Sequence, residues 1–176
     1  MTQKKKTEDG IERPRTLRCA QGNMRGTVAI EFAFLFPAFF LIFYAITTYG
    51  LIFAAQQTLT LAAAEGGRAA LRYPGGAADT LTARQNNACA AALLPLSWLQ
   101  NMGGLGAGSG CSGGPAAPGV SVKNDPCSYA TSHRCFTVTV RYDYQAHPMV
   151  PQLLGSFSLP TPTALQGSAV VQVNTL

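Results

Sequence analysis

The fold is decided by the stretch Arg25-Gly-Thr-Val-Ala-Ile-Glu31-Phe-Ala-Phe-Leu-Phe-Pro37, where a basic leader gives way abruptly to an apolar run. Glu31 is the fifth residue after Gly26, and the next charged residue is Glu65. A helix that crosses a bilayer needs about 20 predominantly apolar residues, and this interval is longer than that. A lone carboxylate inside such a run is costly unless it finds a partner. The stretch therefore predicts a membrane-spanning helix with one acid of special interest.

The residues before the apolar run, 1–26, carry most of the excess positive charge of the chain. They hold seven Lys or Arg residues against three acids, and the formal net charge of the whole chain is +5. Short basic flanks remain in the cytoplasm, so we predict a cytoplasmic leader over 1–26 and an extracytoplasmic C-terminus. The cluster has no interleaved aromatic residues, which disfavours nucleic acid as a partner. The apolar run also exceeds the 7–15 residues typical of a secretory signal peptide.

The apolar run continues into a longer helix, which we predict over 27–72. Its first part, to about Ala54, is apolar all round and is expected to cross the membrane, with Pro37 removing one backbone hydrogen bond. Polar residues return after Ala54, so the rest is expected to be amphipathic and to pack on a soluble domain. The residues expected on its apolar side are Leu59, Ala62, Ala63, Ala69 and Leu71. The run Tyr73-Pro-Gly-Gly ends the helix, because neither Pro nor Gly continues one cheaply.

The remaining residues, 73–176, are predicted to form a small extracytoplasmic α+β domain. A second helix begins near Asp79, a suitable N-cap, and stops near Pro95. Residues 103–119 are rich in glycine and form a loop. The strand signals are the strictly alternating run Cys135–Tyr144 and the shorter runs Val120–Val122 and Ala164–Val173. These runs predict a three- to four-stranded antiparallel sheet whose apolar face is covered by the emerging helix.

The cysteines are distributed as this topology requires. Cys19 falls in the leader, whereas Cys89, Cys111, Cys127 and Cys135 all follow the membrane segment. An even number of cysteines on the oxidising side indicates two disulfides, for which three connectivities are possible. Pairing of Cys127 with Cys135 closes a short loop, and Cys89 with Cys111 then pins the glycine-rich loop; the other two connectivities stay open. No CxxC pair exists, so we expect no metal site.

Nothing in the sequence points to catalysis or to a cofactor. The matches to GxGxxG and GxSxG around Gly108–Gly114 lie in a glycine-rich loop, and neither follows a strand. His133 and His147 have no evident nucleophile and acid beside them. We therefore expect that the protein is not an enzyme and that it has no catalytic residues and no cofactor.

The role of Glu31 can be interpreted in two ways. In one it lies at the membrane edge and reaches water. In the other its carboxylate pairs in the membrane with the α-amino group of a neighbouring subunit, an amine that cleavage after Gly26 would create at Thr27. The pairing would lower the cost of carrying the acid into an assembly. The glycine, the spacing and the apolar run occur together, which favours the second reading.

The runs Arg25-Gly-Thr-Val-Ala-Ile-Glu31-Phe-Ala and Gln56-Gln-Thr-Leu-Thr-Leu-Ala-Ala-Ala-Glu65-Gly-Gly-Arg68-Ala-Ala resemble the TadE-like proteins of the tight-adherence (Flp, type IVc) pilus system. The resemblance is specific over about 25–72. It implies a minor pilin or pseudopilin of the bacterial inner membrane, processed by a prepilin peptidase between Gly26 and Thr27. Its implied partners are that peptidase, other pilins or pseudopilins, the inner-membrane assembly platform and membrane lipid. The alternative is an uncleaved, permanently anchored assembly factor of the same machinery.

Overall fold

A computed structural model of the chain describes residues 24–76, 79–105, 111, 118–151 and 159–174. The elements follow in the order α1 (Met24–Leu71), α2 (Thr80–Leu93), a 3-10 turn (Leu94–Leu96), α3 (Ser97–Gln100), β1 (Gly119–Cys127), β2 (Ala130–Tyr142) and β3 (Leu165–Asn174). This confirms the predicted α+β class with a long apolar helix, a second helix and a three-stranded antiparallel sheet. Most of the predicted leader, including Cys19, and most of the glycine-rich loop lie outside the described residues.

Two compact units divide the chain within α1, after Leu41. In its described part the first unit is helix alone. The helix, described from Met24, includes three residues before the predicted start at Thr27 and continues on both sides of Pro37. Because Pro37 has no backbone N–H, the carbonyl of Ala33 lacks its usual helical donor.

The second unit, residues 42–176, is built around the sheet, whose strand order is β1-β2-β3. Both pairs are antiparallel, with Val122 opposite Val138 and Phe136 opposite Val171. On the central strand β2, one face buries every second side chain. These are Phe136, Val138, Val140 and Tyr142, four of the five residues that the alternating run places on one face. The fifth, Tyr144, is buried as well but lies beyond the end of β2 at Tyr142.

The second half of α1 covers this face with small residues. Its fully buried side chains are Ala55, Leu59, Ala62, Ala63 and Ala70. Positions 55, 59, 62 or 63, and 70 follow one another at intervals of three, four or seven, so they share one side of the helix. Leu71 was expected on that side, but it is 51% exposed. It follows Ala70 by one residue, and one residue turns the helix by about 100°, away from the sheet.

Side chains close the ends of both longer helices. The buried Arg84 of α2 donates from Nη1 to the carbonyls of Ala70 (2.9 Å) and Leu71 (3.2 Å), which supplies donors and positive charge at the C-terminus of α1. Asp79 caps α2 by accepting from the amides of Leu81 and Thr82 and from the Thr82 hydroxyl. The hydrogen bonds from Thr82 lower the pKa of this carboxyl below its ordinary value. The N-cap predicted at Asp79 is confirmed.

Candidate functional site

The N-terminal helix segment, residues 28–41 of α1, contains Glu31 and directly follows the predicted processing residues Gly26 and Thr27. Every side chain in it is exposed. The large apolar ones are Val28, Ile30, Phe32, Phe34, Leu35, Phe36, Phe39, Phe40 and Leu41, between 39% and 77% exposed. Monomeric soluble proteins rarely expose apolar surface on this scale, so the segment requires a lipid or protein environment.

Glu31 is the one acid in this segment. Its side chain is exposed on the apolar helix, where a carboxylate costs about 2.5–3.5 kcal/mol in a bilayer centre. Thr27 lies four residues earlier, so both residues occupy the same side of α1 one turn apart. Gly26 and Thr27 both lie within the helix, in the first turn that the structure describes. The predicted partner of Glu31 is the amine of another subunit, so the pairing itself remains a prediction about an assembly.

An aromatic row runs beside the acid. The rings of Phe32 and Phe36 have centroids 5.3 Å apart, and those of Phe36 and Phe40 have centroids 6.3 Å apart. The three residues recur every four positions, which places them along one side of the helix. These three residues were not among the residues predicted to be functional, although their regular spacing is visible in the sequence. The row gives the helix a ridge of flat, polarisable surface suited to lipid chains or another helix.

Length and composition suit this helix to a membrane. Of the described residues, only Val28–Leu71 forms a helix long and apolar enough to cross a bilayer, and its most apolar window has a mean hydropathy of 2.1. None of that window is buried inside the protein. A helix that is apolar all round and uncovered fits a single-pass membrane protein.

The domain reaches further along this helix than the sequence suggested. The transmembrane part was expected to continue to about Ala54, yet Thr48 is already buried, at 3% exposure. The hydroxyl of Tyr44 donates to the carbonyl of Pro151 (2.9 Å), and that of Tyr49 donates to the carbonyl of Pro160 (3.0 Å). Domain packing on α1 therefore begins about ten residues before the predicted boundary.

The second run behind the family resemblance, Glu65-Gly-Gly-Arg68, has a separate structural role. A Cβ atom added at Gly66 would lie 3.0 Å from both the Ala88 carbonyl oxygen and a methyl group of Val138. Glu65 and Arg68 form an ion pair on the outside (2.7 Å). The glycines thus let α1 approach α2 and the sheet closely, and the charged pair faces solvent.

Two disulfides hold the domain, and their connectivity is the one favoured from the sequence. Cys89 of α2 is bonded to Cys111, with Cα atoms 5.8 Å apart. Cys127, the last residue of β1, is bonded to Cys135 of β2, with Cα atoms 5.1 Å apart. The first ties the glycine-rich loop to α2, and the second closes the β1–β2 hairpin. Both bonds suit an oxidising compartment.

The family model described as TadE-like protein matches residues 26–68. The matched part is about a quarter of the chain and coincides with α1 from its first turn almost to its end. No curated protein and no solved structure gives a significant match. The family match confirms the resemblance seen in the sequence, and it indicates a part in the tight-adherence pilus system.

Proposed function

We propose that the chain is a minor pilin or pseudopilin of a tight-adherence (Flp) pilus, with a structural role in pilus assembly or secretion and no catalytic one. One observation supports this most strongly: an exposed, wholly apolar helix carries a single acid at the fifth position after a glycine, within the segment that the TadE-like model matches. A helix with such a surface is suited to moving from the bilayer into an assembly of similar helices.

In this proposal the chain is held in the bacterial inner membrane by α1. The basic leader stays in the cytoplasm and the disulfide-bonded domain lies in the periplasm, since basic flanks are retained inside and disulfides persist outside. The chain would sit among lipid before assembly. Its other partners would be the prepilin peptidase, further pilins or pseudopilins, and the assembly platform of the inner membrane.

Cleavage between Gly26 and Thr27 would create the cation that Glu31 lacks. The new α-amino group would lie on the same side of the helix as Glu31, one turn away. Two neighbouring helices shifted by about one turn could then place the amine of one against the carboxylate of the other. An opposite charge lowers the free-energy cost of placing the carboxylate in an apolar assembly. If the axial shift between the two helices differs from one turn, both charges remain unpaired. The pair would therefore set the register between subunits.

A second candidate is an uncleaved assembly factor of the same machinery. The observation in its favour is that α1 is already helical at Met24, the first described residue, so the Gly26–Thr27 bond lies within the helix. A peptidase would have to open the helix there to reach the bond. Glycine is the weakest helix former after proline, by about 1 kcal/mol relative to alanine, so Gly26 makes such an opening easier.

The two candidates differ in the mature N-terminus. We expect mass spectrometry of the protein from its native membranes to show a chain that starts at Thr27. A Gly26→Val variant should keep residues 1–26 and migrate more slowly, because the β-branched residue restricts the backbone at the cleavage point. Wild-type protein that retains the leader would contradict the pilin proposal and favour the anchored factor.

Glu31→Gln tests the assembly role, with Glu65→Gln as the matched control on the same helix. Removing the charge should spare membrane insertion and processing, but it should leave the neighbour's ammonium unpaired at a cost of about 3–5 kcal/mol. That is more than a hundredfold in an assembly equilibrium, so surface pili should be lost. Glu65 belongs to an exposed ion pair, and its neutralisation should be tolerated. Normal piliation with Glu31→Gln as the only copy would rule out the pairing.

A further inference from the structure

The point at which α1 leaves the bilayer can be placed by counting residues along the helix. The last basic residue before the apolar run is Arg25. About 20 residues at 1.5 Å each are needed to cross a hydrocarbon core of about 30 Å. Counted from Gly26, the far boundary falls near Ala45; counted from Glu31, it falls near Leu51. On either count the bilayer ends within the stretch 45–51 of the helix.

The domain already lies against the helix at that level. Tyr44 bonds the loop after β2 at Pro151, and Tyr49 bonds the segment before β3 at Pro160. Successive residues of a helix rise by 1.5 Å, so Tyr44 and Tyr49 are about 7.5 Å apart along the axis. On the count from Gly26, Tyr44 lies at the membrane boundary and Tyr49 just outside it. We call the described residues of these two segments, 144–151 and 159–163, the base of the domain.

The base has a composition suited to a low-dielectric environment. From Tyr144 to the C-terminus the sequence has no Asp, Glu, Lys or Arg. The base contains four prolines, at positions 148, 151, 160 and 162, and proline has no backbone N–H that would need a partner. The carbonyls of two of them accept hydrogen bonds from tyrosine hydroxyls. Backbone groups in lipid must be satisfied in this internal way, because water is scarce there.

The uncovered side of α1 at the same level is apolar as well. Ile46 is 67% exposed and Phe53 is 64% exposed, and their separation of seven residues places them on one side of the helix. Tyrosines gather where one end of the ring meets lipid and the other meets water, and Tyr44 and Tyr49 flank Ile46. The first amide side chain of α1 is Gln56, which donates to the Gln166 carbonyl (2.8 Å) and marks the outer limit of this zone.

We propose that the base is a lipid-contacting surface seated in the interfacial layer of the extracytoplasmic leaflet, the leaflet through which α1 leaves the bilayer. The proposal rests on the single-pass placement of α1 in the proposed function. It adds that the domain does not stand clear of the membrane on a helical stalk. On the count from Gly26, the Tyr44–Pro151 contact lies at the edge of the hydrocarbon and the Tyr49–Pro160 contact among the headgroups. Contact with lipid at two points besides the helix fixes the height and tilt of the domain before assembly.

Tryptophan quenching by brominated lipid tests this placement in the full chain. The chain has one tryptophan, Trp98, which a Trp98→Phe background removes. Single tryptophans are then introduced by Phe36→Trp in the helix, Pro151→Trp and Pro160→Trp in the base, and Tyr129→Trp at the far hairpin turn. Each protein is reconstituted in phosphatidylcholine–phosphatidylglycerol vesicles, with and without bromine on the acyl chains.

Tyr129 is the matched control because it follows the end of β1 and lies at the other end of β2 from the base. The 13 residues of β2 extend for about 40 Å. The sheet also rises along α1 away from the base, since Gly167 approaches Leu59 and Val171 approaches Gly67. A tryptophan at position 129 should therefore lie well beyond the reach of acyl-chain bromine.

We expect quenching to fall in the order Phe36→Trp, Pro151→Trp, Pro160→Trp, Tyr129→Trp, with at least about a twofold loss at position 151 and almost none at 129, because bromine lies within the hydrocarbon core. If positions 151 and 160 are quenched no more than 129 while 36 is quenched, the base is not on lipid although the helix is inserted. If position 36 is not quenched either, the membrane placement fails and the proposed function fails with it. Two base variants are used so that misfolding of one does not remove the test.

Discussion

Both halves of α1 present an apolar surface, but the apolar residues of the two surfaces differ in size. The N-terminal helix segment is rich in Phe, Leu and Ile, and its side chains are exposed. The second half is amphipathic and buries mainly small residues, with Ala55, Ala62, Ala63 and Ala70 fully buried. Side-chain size distinguishes the half of α1 that requires lipid or another protein around it from the half whose backbone packs closely on its own domain.

The reason is the distance at which helix and sheet meet. Small side chains allow backbones to approach closely, and the approach buries peptide surface as well as side chains. Large side chains keep neighbours apart, but they present area to fluid lipid or to the grooves of another helix. Changes of size should therefore have opposite consequences in the two halves.

The largest effect is expected from Gly167→Ala in the strand that faces the second half. The added Cβ would lie 2.5 Å from the carbonyl carbon and oxygen of Leu59, and backbone cannot yield as a flexible side chain can. We expect a loss of about 3 kcal/mol or more. Urea unfolding of the detergent-solubilised full chain, followed by fluorescence of the single Trp98, measures it.

Gly50→Ala is the control for this change. Gly50 lies in α1 with nothing within 4 Å of an added Cβ, so alanine should stabilise the helix by up to about 1 kcal/mol. Equal urea midpoints for the Gly167 and Gly50 variants would contradict the close contact between β3 and α1.

A smaller effect is expected when size is changed within α1 itself. Ala63→Leu adds three carbons to a fully buried position and should destabilise the domain by about 1–3 kcal/mol. Phe36→Leu removes part of a ring that is 51% exposed, so the unfolding midpoint of the domain should not move. A midpoint shift with Phe36→Leu as large as that with Ala63→Leu would show that the two halves are not distinct in this way.

The smallest effect is expected from alkaline pH. Burial raises the pKa of Tyr142 and of Tyr144 above the ordinary value of 10.0, and the N-terminal helix segment has no tyrosine. A raised pKa means that the unfolded chain loses these protons first. Their contribution to stability is therefore complete below pH 10.0 and is lost as pH rises from there towards the folded pKa.

The urea midpoint of the domain should accordingly fall as pH rises above about 10, while the N-terminal helix segment, which has no tyrosine, is unaffected by this titration. Tyr142→Phe is the matched variant. It loses the hydrogen bond from the Tyr142 hydroxyl to the His147 carbonyl (2.9 Å), so its midpoint should be lower at neutral pH. It should also vary less with pH, and a pH response as steep as that of wild type would assign the effect to other groups.

Most of the fold could be predicted from periodic patterns in the sequence. The run from Phe136 to Tyr142 alternates without exception, so its strand and its buried face were predictable, as were the N-cap at Asp79 and the long helix. The strand β1, at Gly119–Cys127, is longer than the two valines at 120 and 122 indicated. Its outer part, Lys123-Asn-Asp-Pro, is polar and is held by pairing with β2, which composition does not reveal.

Contacts between distant segments could not be predicted. The role of Arg84 comes from the position of the α1 carbonyls that it bonds, which lie 13 and 14 positions earlier in the chain. The two tyrosine bonds to Pro151 and Pro160 join residues more than 100 positions apart. They move the start of domain packing to Tyr44, a boundary that polarity alone placed near Ala54. For the candidate site, the order of glycine, acid and apolar residues was visible in the sequence, whereas the aromatic row beside Glu31 emerged from the structure.

The contact of Gly167 with Leu59 also determines when the domain can finish folding. The nearby hydrogen bond from Gln56 to Gln166 spans 110 positions of the chain. At a synthesis rate of about 5–20 residues per second, the ribosome needs roughly 5–20 s to supply β3 after the second half of α1 has been made. For that interval Leu59, Ala62 and Ala63 have no final strand to cover them. During this period the nascent chain exposes apolar surface that is buried in the folded domain. Chaperones would be needed to prevent that surface from aggregating.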